Sequence, residues 1–216
     1  MSALNAPLTI FYATHLSVTI EPHRPLRLSA LAWDFPERPD LIALTTLAER
    51  LDFLRDHLKS LCGIWDKLPR LFLDAYFRDI AMCIARDRSA IEGLAAEHGE
   101  LFRPEHWSFA ALCPLPQARL PGASETPVDF AFWTGETFHA IEIASGTSQS
   151  RARRDRLARL TETGIPVTEI AGAELERGHA GDLIARLPAP LSDFWKTEAL
   201  PSSPFRIGAL DEILSA

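Results

Sequence analysis

Hydrophobic residues along this chain change period several times, and each change marks an element. Residues 8–20, LTIFYATHLSVTI, are dense in β-branched and aromatic types and predict one or two strands. PLRLSALAWDF, residues 25–35, predicts another, closed by the proline-rich break FPERPD. From 40 to 61 the period lengthens. Leu44, Leu47, Leu51, Leu54, Leu58 and Leu61 recur three and four apart, which predicts a one-faced helix. Pro69 can open a second helix reaching Ile84, with Phe72, Tyr76, Ile80 and Cys83 along one side. The leucine seam would suit a homodimer or a protein partner. The second helix offers a nearer surface, because two adjacent amphipathic helices can bury each other.

Ser89-x-x-Glu92 has the form of a capping box and predicts a third helix ending at Gly99. SFAALCPLPQARL, 108–120, predicts a strand that its prolines confine to an edge or a short length. Strands follow at 127–133 and 137–144, then a helix from about 149 to 163, with Gly164 placed for its C′ position. IPVTEIA, 165–171, predicts a further strand, and AELERGHAGDLIARL a helix interrupted at Gly178. From Pro188 onward, Pro190, Pro201 and Pro204 predict an extended tail on the surface, anchored by Phe194, Trp195 and Phe205. The order over 89–187 is helix, strand, strand, strand, helix, strand, helix. It predicts an α/β fold with a mixed central sheet flanked by helices. Residues 1–88 then form a strand-plus-helix lobe beside this core, and residues 188–216 form the tail.

The register of the central hairpin can be worked out. Gly135-Glu136 suits a two-residue type II′ turn with glycine first. Trp133 then faces Phe138, Ala131 faces Ala140, and Asp129 faces Glu142. The pleat puts both acids on one side, with Ala131 and Trp133, and puts His139 on the other, opposite Phe132. Two carboxylates so opposed, with Cβ atoms about 5 Å apart, destabilise a hairpin unless something compensates. A shared proton would do so. A divalent cation such as Mg²⁺ or Mn²⁺ would do so better, since carboxylates and waters are its usual ligands. The competing reading is a solvent-facing edge hairpin whose acids carry no metal.

With its acids so placed, VDFAFWTGETFHAIEIASGTSQSRARRDRL resembles the PD-(D/E)xK nuclease superfamily. That family has an Asp on one strand of a hairpin, here Asp129, and a Glu on the next, here Glu142. A preceding helix can carry another acid, for which Glu92 is the candidate. The resemblance continues through a helix with Arg156, Leu160 and Gly164 four apart and a following strand, and spans roughly residues 89–171. It implies a restriction-endonuclease-like core, a Mg²⁺ or Mn²⁺ ion held by Asp129, Glu142 and Glu92, and hydrolysis of phosphodiester bonds in DNA or RNA. Arg151, Arg153, Arg154, Arg156 and Arg159 would meet the nucleic-acid backbone. Ala144 stands in the third position of the triplet, where the family usually has Lys. Gln149, or an arginine such as Arg151 or Arg153, would then orient the attacking water. If none does, the resemblance implies a catalytically inactive protein that serves as a binding or assembly module.

Composition changes this picture in a few places. The chain has 216 residues, 47% of them hydrophobic, enough for a real core. A net charge of -7 gives no global attraction to nucleic acid, so a local patch would have to provide it. The arginine helix is either that patch or a solvated face, with Asp155 paired to Arg151 or Arg159 at four-residue spacing. Glu92 likewise reads as a first-turn capping acid as well as a ligand. Cys62, Cys83 and Cys113 lie in apolar contexts with no C-x-x-C spacing, as buried thiols of a reducing cytosol do. No apolar run reaches the ~20 residues of a membrane span, and no signal peptide is legible, so a cytoplasmic location is expected. Gly146-Thr147-Ser148-Gln149-Ser150 falls one residue short of a G-x-S-x-G nucleophile elbow, and His179 is the only histidine downstream of it. The same loop before a helix could bind phosphate.

Overall fold

The two-residue turn sets the frame. In the computed structural model, Gly135 has φ 100° and the Thr134 N–H donates to the Thr137 carbonyl at 3.1 Å. Positive φ at the first turn residue alone is the type II′ form. A Cβ at Gly135 would also lie 3.1 Å from Pro25 N, so the loop after the second strand needs glycine here too. From this turn the strands β4 (Val128–Trp133) and β5 (Phe138–Ala144) run antiparallel, with Trp133 opposite Phe138, Ala131 opposite Ala140 and Phe130 opposite Ile141. The register is the expected one.

Residues 6–13, 16–31, 46–63, 66–99, 101–121, 127–145, 151–177, 183–196 and 199–205 are described, the side chains of 151–153 and 156 excepted. Among them, β3 (Leu115–Ala118) pairs antiparallel with β4, and β6 (Val167–Ala171) pairs parallel with β5. The sheet order is β3-β4-β5-β6. A hairpin of β1 (Leu8–Tyr12) and β2 (Leu16–Ile20) docks on the free edge of β3. The Arg119 N–H donates to the Phe11 carbonyl at 2.9 Å, and the Ala13 N–H to the Pro116 carbonyl at 3.1 Å.

Helices cover this sheet. The helix α1 (Leu28–Leu31) is a single turn after the β1-β2 hairpin. Thr46 and Glu49 form a capping box at the start of α2 (Leu47–Leu61), whose Leu54 and Leu58 are buried. Beside it runs α3 (Lys67–Arg86), which packs on the phenylalanine face of the sheet. Its Phe72 ring lies 4.6 Å from Phe130 and its Tyr76 ring 5.6 Å from Phe132. The Tyr76 hydroxyl donates to the Leu112 carbonyl at 2.8 Å, so the buried phenol is satisfied. After α4 (Arg88–Ala96) the chain returns to β3, and α5 (Arg151–Glu162) joins β5 to β6. Gly164, at φ 75°, ends α5 in a Schellman motif. The Ile165 N–H reaches the Leu160 carbonyl at 3.0 Å, the Gly164 N–H reaches that of Thr161 at 2.9 Å, and Leu160 and Ile165 are both buried.

Several segments depart from expectation. Residues 25–35 do not form a strand where they are described. Arg27 makes one bridge to Leu112, and the chain then turns into α1, because Leu28 and Leu31, three apart, both enter the core. Of 108–120 only β3 is a strand. Pro104–Ala110 is a 3₁₀ helix, which Pro104 opens and buried Trp107 and Phe109 anchor. The Ser89/Glu92 box is not made: Asp87 is the N-cap of α4, and Glu92 instead accepts from Arg88 at 2.9 Å. The segment from Gly172 splits into α6 (Gly172–Glu176) and α7 (Leu183–Arg186), with Asp79 of α3 accepting the Ile184 N–H at 3.1 Å. The tail is not wholly extended. Pro190 is tolerated in the first turn of α8 (Ala189–Ser192), and a 3₁₀ turn Asp193–Trp195 follows. Residue 88 does not separate two cores, since one cluster of buried side chains runs from Ile10 to Phe205.

Candidate acidic site at the open end of the hairpin

Hydrogen-bonded and non-bonded pairs alternate in an antiparallel ladder. Counting from the bonded pair Thr134/Thr137, the bonded pairs are Phe132/His139, Phe130/Ile141 and then Val128/Ile143. The ladder stops at Phe130/Ile141. The Ile143 N–H, which would have gone to Val128, donates to Asp129 Oδ2 at 2.7 Å. A carboxylate thus takes the place of a main-chain carbonyl where the strands part. On its other side β5 stays paired, with Glu142 opposite Glu169 and Ala144 opposite Ala171. The β3 strand opens at this level as well. Gln117, the residue due opposite Asp129, has φ 51° and drops out of the β3-β4 register. A left-handed non-glycine residue in a strand is strained by about 1–3 kcal/mol and is found where something other than pairing sets the backbone.

Asp129 is half-buried, Glu142 is 0% exposed, and Glu169 is exposed. Glu169 is a third acid on the same level and face, and no sequence signal marked it, because only the parallel register brings it there. The start of α3 approaches the same end of the sheet. A Cβ at Gly172 would lie 2.7 Å from Leu68 Cδ1 and 2.9 Å from the Ala144 carbonyl oxygen. Cys62, at the α2–α3 junction, reports the local charges. Burial pushes its thiol up to about 12, Arg70 and Lys59 act to lower it, and Asp66 and Asp129 act to raise it. Arg70 Nε is buried with no hydrogen-bond partner among the described residues. Lys59 is paired with Asp74 at 2.7 Å. Arg70 and Lys59 come about sixty and seventy positions before Asp129, so motif spacing could not reveal them.

The other expected residues are placed as follows. Asp129 and Glu142 are brought to neighbouring strands at one level. Glu92 is not brought to them by the same elements. It sits on an exposed face of α4, and α4 starts at the far end of α3, roughly 30 Å along a helix of this length. Arg151, Arg153, Arg154 and Arg156 all lie in α5; Arg154 is exposed, and the side chains of the other three are outside the described set. Asp155 meets Arg159 through its main-chain oxygen, at 3.3 Å from Arg159 Nε. Gln149 and the whole loop 146–150, including the near-elbow, lie outside the described residues, as does His179. His139 is buried on the opposite face, with Nε2 3.0 Å from Thr168 Oγ1, and desolvation lowers its imidazole below the ordinary value.

Two carboxylates from adjacent strands are the hard oxygen donors that Mg²⁺ and Mn²⁺ take. Among the described residues no group of three or more His, Cys, Asp or Glu side chains could hold a metal ion. Among the described residues no helix is long and apolar enough to cross a membrane. No family model, no curated protein and no solved structure matches this chain.

Proposed function

We propose that the chain is a nuclease-like protein with a restriction-endonuclease-like core, in which Asp129 and Glu142 hold Mg²⁺ or Mn²⁺ for attack on phosphodiester bonds of DNA or RNA. The observation that carries this reading is the opening of the β4-β5 ladder at the two acids. It occurs in a sheet of three antiparallel strands with a fourth parallel to the third, connected through α5. When bound, the cation supplies Lewis-acid polarisation of a phosphate oxygen. Asp129 anchors the parted strands through Ile143, with Glu142 at the same level of the adjacent strand. Arg70, which like Asp129 acts on the Cys62 thiol, would supply positive charge in place of the lysine missing at Ala144, and the exposed arginines of α5 would meet the backbone of the nucleic acid.

A second reading, an inactive nuclease-fold module for binding or assembly, draws on the full burial of Glu142 and the absence of Lys at Ala144. Cleavage assays separate the two. Wild type, Asp129→Asn and Arg70→Gln are incubated with single- and double-stranded DNA and RNA in Mn²⁺. Cleavage by wild type and its loss in Asp129→Asn is the expected result. No cleavage of any substrate by folded wild type leaves the module reading.

A further inference from the structure

A cavity of about 690 Å³ lies at the other end of β4, where Trp133 meets the loop after β2 and the segment 201–205. Its walls are largely apolar, with Ile20, Pro25, Leu26, Trp133, Pro204 and Phe205 among them. Small-molecule sites run about 300–1,000 Å³ and combine such walls with a few polar groups. Both walls are pinned. On one side the Leu26 N–H donates to the Trp133 carbonyl at 3.1 Å, and Trp133 Nε1 donates to the Glu21 carbonyl at 3.0 Å. On the other, Trp107 Nε1 donates to the Pro201 carbonyl at 2.9 Å, and the Phe205 ring lies 4.9 Å from Phe109.

The charged groups of the lining are unequally answered. Arg24 is paired with Glu21. Arg27 meets no carboxylate among the described residues. It donates to the Ala110 carbonyl and lies over the Phe194 ring at 5.1 Å, both neutral groups. Burial lowers its guanidinium below the ordinary arginine value. Neutral partners offset the desolvation of a cation poorly, whereas an anion offsets it well. We infer that this cavity binds a small organic anion with an apolar body, a carboxylate or a phosphate monoester, and that Arg27 is its counter-charge. The inference stands apart from the acidic site.

The test uses anilinonaphthalene sulfonate, an apolar organic anion, on the intact protein. The probe is then displaced by octanoate or dAMP and by the neutral octanol and deoxyadenosine. Saturable single-site binding is expected, with one anion displacing the probe at least about tenfold better than its neutral counterpart. Octanoate marks a carboxylate site and dAMP a phosphate site. Arg27→Gln should weaken anion displacement about tenfold and leave the neutral compounds unchanged, while Arg27→Lys keeps most of the affinity. Ala30→Trp, from an exposed position that lines the cavity, should fill it and abolish binding, and it serves if the Arg27 variants do not fold. Equal displacement by anions and neutral compounds, no saturable binding, or a folded Ala30→Trp protein that binds as wild type overturns the inference.

Discussion

The two ends of the β4-β5 hairpin are built from neighbouring residues and solve the backbone problem differently. At the turn end every device closes the structure: Gly135 takes the left-handed conformation, Thr134 and Thr137 bond across, and Trp133 and Phe138 rings lie 4.8 Å apart. At the other end the ladder stops, a carboxylate takes the Ile143 N–H, and the next strand over is strained at Gln117. A sheet built only for stability would have continued pairing with a main-chain carbonyl and apolar side chains. The open end gives up that pairing and brings Asp129, Glu142 and Glu169 to one level of three adjacent strands.

The contrast can be broken by substitution. Trp133→Ala removes a buried indole and its bond to Glu21, and should cost about 3–5 kcal/mol in urea denaturation. Asp129→Ala removes a charge-assisted bond to a main-chain N–H and should cost about 1.5–3 kcal/mol, while Asp129→Asn, which keeps an acceptor, costs less. Equal stability of the alanine variant and wild type would mean that the carboxylate does not hold the parted strands. Gly135→Ala forces a Cβ onto φ 100° and against the 23–25 loop, for a loss of about 1–3 kcal/mol.

The smallest effect depends on pH. Burial depresses the His139 imidazole, so its contribution is full above the unfolded value of about 6.5 and is lost as pH falls through the folded value. Below pH 6.5 the unfolded chain takes up a proton that the folded one refuses, and stability falls by up to about 1.4 kcal/mol per pH unit. Half-buried His106 acts in the same direction, so the comparison is with His139→Asn, whose thermal melts should lose less between pH 6.5 and 5 than those of wild type.

Much of the frame was legible because local rules governed it. The period-2 pattern and a two-residue turn gave the hairpin register, and glycine at 164 gave the end of α5, because each is decided within a few residues. Asp129 and Glu142 were legible as neighbours on adjacent strands for the same reason, although the paired ladder ends at Phe130/Ile141, one position before they would face each other. What lay beyond reach was decided by distant partners. Nothing near Ile143 says that its N–H leaves the ladder for a side chain. Glu169 needs the parallel register, and Arg70 and Lys59 need the packing of the α2–α3 junction against the sheet. Glu92 shows competition between two local rules: Ser89 offered a capping box, Arg88 offered a four-residue ion pair, and the second formed. Residues 25–35 misled in the opposite sense, since β-branched-poor LRLSAL held enough apolar residues for a strand but placed Leu28 and Leu31 for a turn of helix.

Calorimetric titration of Mn²⁺ into wild type, Asp129→Asn and Glu142→Gln, each checked for folding by circular dichroism, tests the cation site itself. Saturable binding to wild type that either substitution abolishes is expected. Folded wild type that takes up no Mn²⁺, or binding that survives both substitutions, would contradict the assignment of the open hairpin end as a cation site.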